Sequence, residues 1–229
     1  MSQPSQSPIL VHNAGHLSLC FQPDEIQSQM REDAPDELVL PYTQAVAAFL
    51  LLNPSPRHIL TIGLGGGSIP KWCFRTLPHA RITTVEIDPR IIALRDHFHI
   101  PPDDHRFRIL QQDGAAYLAA HHPHTDAGPD ARPDILIIDA FGPSGQPRTL
   151  CTPAFYQDCQ RHLSPNGILI VNLCDPLDNL YISRIRHAFS GRIFVATFAT
   201  GQNKVVFAAN PLAPSLAPLA SRLHGAPAI

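Results

Sequence analysis

The chain has 229 residues, 44% of them hydrophobic, enough for one domain with a full core and a small appendage. Its formal net charge of -2, with no block of like charge, argues against a nucleic-acid binder, whose footprint is a basic patch. The opening "MSQPSQSPIL" has no basic segment and no long apolar run, so no signal peptide is expected, and the longest helical apolar stretch, "AVAAFLLL", is too short to span a bilayer.

At the front, "ILVHNAGHLSLCFQ" (Ile9 to Gln22) reads as two short strands around a turn, a small hairpin. A helix follows from about Pro41. Five apolar runs bounded by turn residues read as buried strands: His58 to Leu64, Arg81 to Ile87, Phe107 to Gln112, Ile135 to Ala140 and Gly167 to Leu173. Helical segments lie between them. "DPRIIALRDHF" opens with Asp88 as N-cap and Pro89 at the first helical position, and "TPAFYQDCQRHL" repeats the device with Thr152 and Pro153. "DGAAYLAAHH" and "DNLYISRIRHAF" supply two more helices. The alternation is that of a doubly wound α/β fold with a mostly parallel sheet.

The back of the chain breaks the alternation. "GRIFVATF" and "NKVVFAAN" are separated by "ATGQ" alone, too short for a helix, so they pair as an antiparallel hairpin closing the sheet. That closure is associated with S-adenosylmethionine-dependent transferases. The expected division is residues 1–40 as hairpin and linker, 41–210 as the Rossmann-like binding domain, and 211–229 as a Pro/Ala-rich, poorly ordered tail. The histidine-rich "HHPHTDAGPDARP" (His121 to Pro133) reads as a solvated loop rather than a metal site. Five scattered cysteines show no C-x-x-C spacing, so no zinc site or disulfide framework is signalled, and a reducing cytoplasm is the natural compartment.

The candidate site lies at the strand ends. Gly63, Gly65 and Gly67 follow the first core strand and precede a helix, where glycine permits positive φ and close approach of a ligand. Ser68 stands at the third glycine position of the dinucleotide pattern, which lowers the NAD reading. Glu86 ends the next strand about twenty residues on, where an acid binds ribose hydroxyls. A carboxylate can accept two hydrogen bonds from a diol. Asp113, in "LQQDGAAYL", is placed either to accept the exocyclic amine of adenine or to cap a helix. Asp139, in "LIIDAFGPSGQP", sits where open α/β sheets place ligands. It suits a general base, a cation-binding acid or a helix cap.

Together these residues resemble the spermidine synthase (polyamine aminopropyltransferase) family, from about Ile26 to Leu173. The resemblance rests on "EIQSQM", "LPYTQ", "TIGLGGGSI", "TVEIDP", "QQDGAAYL", "LIIDAF" and "TPAFYQDCQRHLSPNGILIVNL", in family order and spacing. It implies a class I methyltransferase-like fold, decarboxylated S-adenosylmethionine as aminopropyl donor, a polyamine acceptor, no metal, and a homodimer. It also implies that Gln27 touches the donor near its methionine-derived end, Glu86 holds the ribose, and Asp113 with Gly114 holds the adenine. Asp139 would take a proton from the attacking amine, and Tyr42 would line the acceptor groove.

Two positions depart from the family pattern. Gly66 stands where the family carries an aspartate that pairs with the donor's amine, and Gly142 where it carries a second aspartate after the fourth strand. Aromatic faces such as Tyr42, Phe141 and Trp72 offer cation–π compensation. Asp175 and Asp178 are other acids in the region, better read as loop and cap residues. An acid at position 66 would repel the carboxylate of ordinary S-adenosylmethionine; glycine removes that repulsion. A methyltransferase using ordinary S-adenosylmethionine, and a non-catalytic adenosyl-ligand binder, therefore remain as alternatives. The front has room for about one hairpin, less than the family's usual dimer-building domain.

Overall fold

The computed structural model describes residues 7–22, 25–120, 132–198 and 203–223. At the front, β1 (Ile9–Asn13) and β2 (His16–Cys20) form the expected hairpin. Its turn places Ala14 and Gly15 both at positive φ, 48° and 75°, the signature of a tight hairpin turn matched to strand twist. A third strand, β3 (Ile26–Arg31), pairs antiparallel with β2, so the N-terminal element is a three-stranded sheet rather than a bare hairpin. Its sequence, "IQSQMR", hides the strand because one buried position is a small polar residue. Ser28 and Met30 face inward between the half-buried Gln27 and Gln29.

The main sheet has seven strands. They are β4 (His58–Ile62), β5 (Arg81–Glu86), β6 (Phe107–Gln111), β7 (Ile135–Ile138), β8 (Ile168–Leu173), β9 (Ile193–Thr197) and β10 (Lys204–Ala209), in the order β6-β5-β4-β7-β8-β10-β9. The first five are parallel, and β10 runs antiparallel between β8 and β9, the expected closing hairpin. Every residue of β4, β7 and β8 is buried. Alternate residues feed two cores: Ile59, Ile135, Ile137, Ile168 and Ile170 on one face, Leu60, Ile62, Leu136, Ile138 and Leu169 on the other. This two-sided burial explains why these strands read as continuous apolar runs.

Seven helices are described: α1 (Pro41–Val46), α2 (Ser68–Thr76), α3 (Pro89–Ile92), α4 (Gly114–Ala120), α5 (Pro153–His162), α6 (Asp178–Ala188) and α7 (Ala217–Leu223). The N-caps foreseen at Asp88 and Thr152 form: Asp88 accepts from the Arg90 amide at 2.9 Å and Thr152 from the Phe155 amide at 3.1 Å. The helix expected over Asp88 to Phe98 is shorter, however. It ends at Ile92, turns carry the chain onward, and His99 reverses it at a φ of 53°. The reversal buries Phe98 and Ile100 and lets the Arg95 guanidinium bond the Pro101 carbonyl. The described part of the C-terminal segment, residues 211–223, includes a helix. α7 docks with Leu219 wholly buried, against β9 and the 3-10 turn Ala47–Leu51 that extends α1.

Among the described residues no helix is long and apolar enough to cross a membrane. Among the described residues the cysteines form no disulfide, and Cys20, Cys73, Cys151 and Cys159 are buried. The histidine-rich stretch lies, except for Arg132 and Pro133, outside the described residues; among those described, no cluster of three metal-ligating side chains occurs.

Candidate active site

Strand order reverses between β4 and β7: from β4 the chain builds outward through β5 and β6, then returns to add β7 on the other side. A cleft opens at the carboxyl ends of these strands, where open α/β sheets bind ligands. β3 of the N-terminal sheet and the start of α1 wall its other side, through Gln27, Ser28, Tyr42 and Thr43.

The two loops that meet at the reversal point are in backbone contact. The Gly63 amide donates to the Val85 carbonyl and the Asp139 amide to the Ile62 carbonyl, both at 2.9 Å. A Cβ added to Gly63, whose φ is 96°, would lie 2.1 Å from the Asp139 carbonyl oxygen. Position 63 therefore admits glycine alone, for conformation and for space. Gly63 and Gly65 line the cleft. Gly67 does not: at a φ of 66° it starts α2, and a Cβ there would strike Ile100.

Glu86 is buried at the end of β5 and braces the glycine loop. Its Oε2 accepts from the Leu64 amide at 2.9 Å and its Oε1 from the Asp88 amide at 2.8 Å. Burial raises its pKa above the ordinary carboxylate value, and these backbone bonds oppose the rise. Glu86 also lines the cleft. Asp113 and Gly114 also line the cleft. The Asp113 Oδ1 accepts from the Ala116 amide at 2.8 Å, so the helix-cap role is real and one oxygen is committed to it.

Asp139 follows β7 at the centre of the cleft. Its Oδ2 accepts from the Tyr42 hydroxyl at 3.2 Å and its Oδ1 from the Asn172 amide at 2.9 Å. Burial raises its pKa, while the bonds from Asn172 and Tyr42 lower it. The same environment pushes the Tyr42 phenol well above its usual value, through burial and the neighbouring carboxylate. Tyr42 thus stays a neutral donor to the Asp139 carboxyl group. It does not cap a helix, since helical turns resume only at Arg148 and Pro153.

All the sequence-predicted site residues except Gly67 share this one cleft: Gln27, Tyr42, Gly63, Gly65, Glu86, Asp113, Gly114 and Asp139. Of the aromatic faces, Tyr42 and Phe141 line it, whereas Trp72 packs on the core. Asp175 serves the loop, as expected, whereas Asp178 lies inside α6 and is not its cap: Leu177 is the N-cap, with no side-chain cap bond. The Asp175 Oδ1 accepts from the Leu177 amide at 2.8 Å; Asp178 accepts from the Asp175 amide at 2.9 Å and pairs with Lys204 at 3.4 Å. Sequence reasoning missed Asn172, although a lone amide inside the apolar run "ILIVNL" was a signal. It also missed Lys71, whose buried ammonium donates to the Phe98 carbonyl at 2.7 Å and contacts the Met30 sulfur at 3.3 Å. Burial pulls that ammonium down to about 8.

The family model described as "Spermine/spermidine synthase domain" matches residues 40–200. The chain is 37% identical over 194 residues to the polyamine aminopropyltransferase of Chromobacterium violaceum, an alignment covering 83% of this chain and 71% of that protein. Its fold is similar to the crystal structure of a probable spermidine synthase from Corynebacterium glutamicum, with a TM-score of 0.76 at 20% identity over 94% of this chain and 81% of that one. It is also similar to human methyltransferase-like protein 13 in complex with SAH, with a TM-score of 0.69 at 23% identity over 83% of this chain and 95% of that one.

Proposed function

We propose a function from one premise: the chain belongs to the spermine/spermidine synthase family. It is a transferase that moves the aminopropyl group of decarboxylated S-adenosylmethionine onto a polyamine. The observation that carries this reading is Asp139, a desolvated carboxylate at the centre of the cleft, bonded by Tyr42 and Asn172.

The chemistry asks little covalent work of the protein. A sulfonium activates its own leaving group, so the catalyst must place an unprotonated amine in line with the carbon to be attacked. The amine nitrogen forms the new C–N bond, the C–S bond breaks, methylthioadenosine leaves, and Asp139 takes the amine proton. A carboxyl with a raised pKa accepts that proton more readily than an ordinary one. Glu86 would hold the ribose diol, Asp113 and Gly114 the adenine, and Gln27 the donor's far end. Tyr42 and Phe141 would flank the acceptor. The glycine cradle at Gly63 and Gly65 fits a nucleoside brought against the backbone. Five cysteines without a disulfide fit a reducing compartment, the cytoplasm.

The proposed donor subsite departs from the family's pattern at Gly66, and the packing around that position supports the departure. A Cβ at Gly66 would lie 2.9 Å from two ring carbons of Phe98 and 3.0 Å from the Ser28 Cβ. Phe98 is fully buried, so the space a side chain at position 66 would need is filled. The cleft wall there offers Gln27, Ser28 and Ser68, which are neutral. A neutral subsite does not repel a carboxylate. Ordinary S-adenosylmethionine is therefore expected to bind at least as tightly as the decarboxylated donor and to compete with it. Calorimetric titration of both ligands, with methylthioadenosine and NAD alongside, checks this. A strong preference for the decarboxylated form would overturn the reading of Gly66, and tightest binding by NAD would overturn the adenosyl-sulfonium site itself.

A further inference from the structure

We propose that Asn172, locked by Asn203, is a positioning residue that fixes the orientation and basicity of Asp139; the inference rests on Asp139 being the base of the proposed reaction. Asn172 is the one polar residue of β8 and is 1% exposed. A buried amide left without partners carries a desolvation penalty, so its bonds determine how it sits. It has two that matter. Its Nδ2 donates to the Asp139 Oδ1 at 2.9 Å, and its Oδ1 accepts from the Asn203 Nδ2 at 3.0 Å. Asn203 immediately precedes β10, the antiparallel strand that pairs with β8.

The chain of contacts has a direction. A carboxylate only accepts, so the NH2 end of Asn172 must face Asp139. Turned over, the amide would set its carbonyl oxygen against a carboxylate oxygen. The bond from Asn203 to the Asn172 carbonyl opposes that turn. The closing hairpin thus reaches the catalytic carboxylate through two amides. The Asp139 Oδ1 is held by the shorter bond, and the Oδ2, with only the 3.2 Å bond from Tyr42, is the oxygen left to receive the amine proton. The polar groups facing Asp139 are Tyr42 from α1 and Asn172 from β8. The nearby charges at the start of α6 and β10, Asp178 and Lys204, pair with each other.

The test reads Asp139 directly. Infrared difference spectra against Asp139→Asn give the carboxyl's titration midpoint without any substrate, in the wild-type chain and in Asn172→Ala and Asn203→Ala. Loss of one hydrogen bond to the charged form should raise the midpoint by about one pH unit in Asn172→Ala, with a smaller rise in Asn203→Ala. In turnover, the acid limb of the kcat profile should move to higher pH and kcat should fall about tenfold or more in Asn172→Ala. The dissociation constant for the donor should stay within about twofold, because neither amide touches the Glu86 side of the cleft. Asn203 is only half-buried, so its variant carries the test alone if Asn172→Ala does not fold. An Asp139 midpoint unchanged in the variants would overturn the proposal. Because the midpoint is read without turnover, that failure is distinct from a failure of the aminopropyl-transfer reading, in which the wild-type chain would not transfer the group at all.

Discussion

Asp139→Asn is expected to lower turnover by about a hundred- to ten-thousand-fold, the range of a lost general base. Donor affinity should be kept. The substitution preserves shape, and its bonds can be re-made: the carbonyl of the introduced amide can accept from Asn172, and its NH2 can donate to the Tyr42 hydroxyl. Stability should not suffer. Burial raises the folded pKa of Asp139, so the native state binds more protons than the unfolded chain between the unfolded value and the raised one. Stability then falls as pH rises through that window. A neutral amide removes this penalty, and the variant should melt no lower than wild type at neutral pH. Steady-state kinetics, donor titration and a thermal melt check the three parts. Full turnover in the variant would remove Asp139 as the base; lost donor affinity would move its role to binding.

The second large effect is expected at Glu86. Glu86→Gln keeps the volume but replaces one acceptor oxygen by an NH2. A backbone donor that it now satisfies, Leu64 or Asp88, then faces a donor. A ribose diol also loses half of a charged, two-oxygen acceptor. Hydrogen bonds to charged groups contribute about 1.5–3 kcal/mol, so donor affinity should weaken by about ten- to a hundredfold or more. The same logic gives a pH dependence. The Glu86 pKa is raised by burial, so donor binding should weaken as pH falls through that raised value, and the dependence should vanish in Glu86→Gln. Calorimetry across a pH series checks both. Unchanged affinity in the variant would take the ribose role from Glu86.

The order of elements was legible because it is written in burial. β4, β7 and β8 are covered on both faces, so their residues are mostly apolar, and an acid that closes an apolar run, as Asp139 does after β7 and Glu86 at the end of β5, stands out. Glu86 and Asp139 could be found for that reason. β3 was not legible, because its inward positions include Ser28 and its outward ones are glutamines. Nor was the early end of α3, since periodicity alone does not show that the chain turns at His99 to bury Phe98. Gly67 looked like Gly63 in the sequence. Only the packing shows that one meets Asp139 and the other Ile100. The Asn203–Asn172–Asp139 series joins three strand ends far apart in the chain and needed the sheet order to appear.

The central claim is that this cleft transfers an aminopropyl group to an amine. The most direct measurement is to incubate the purified chain with decarboxylated S-adenosylmethionine and a diamine and resolve the products by mass spectrometry. The account predicts methylthioadenosine and an amine carrying one added aminopropyl group, released in equal amounts and lost in Asp139→Asn. Methylthioadenosine without a modified amine, or an amine methylated from ordinary S-adenosylmethionine in its place, would contradict it.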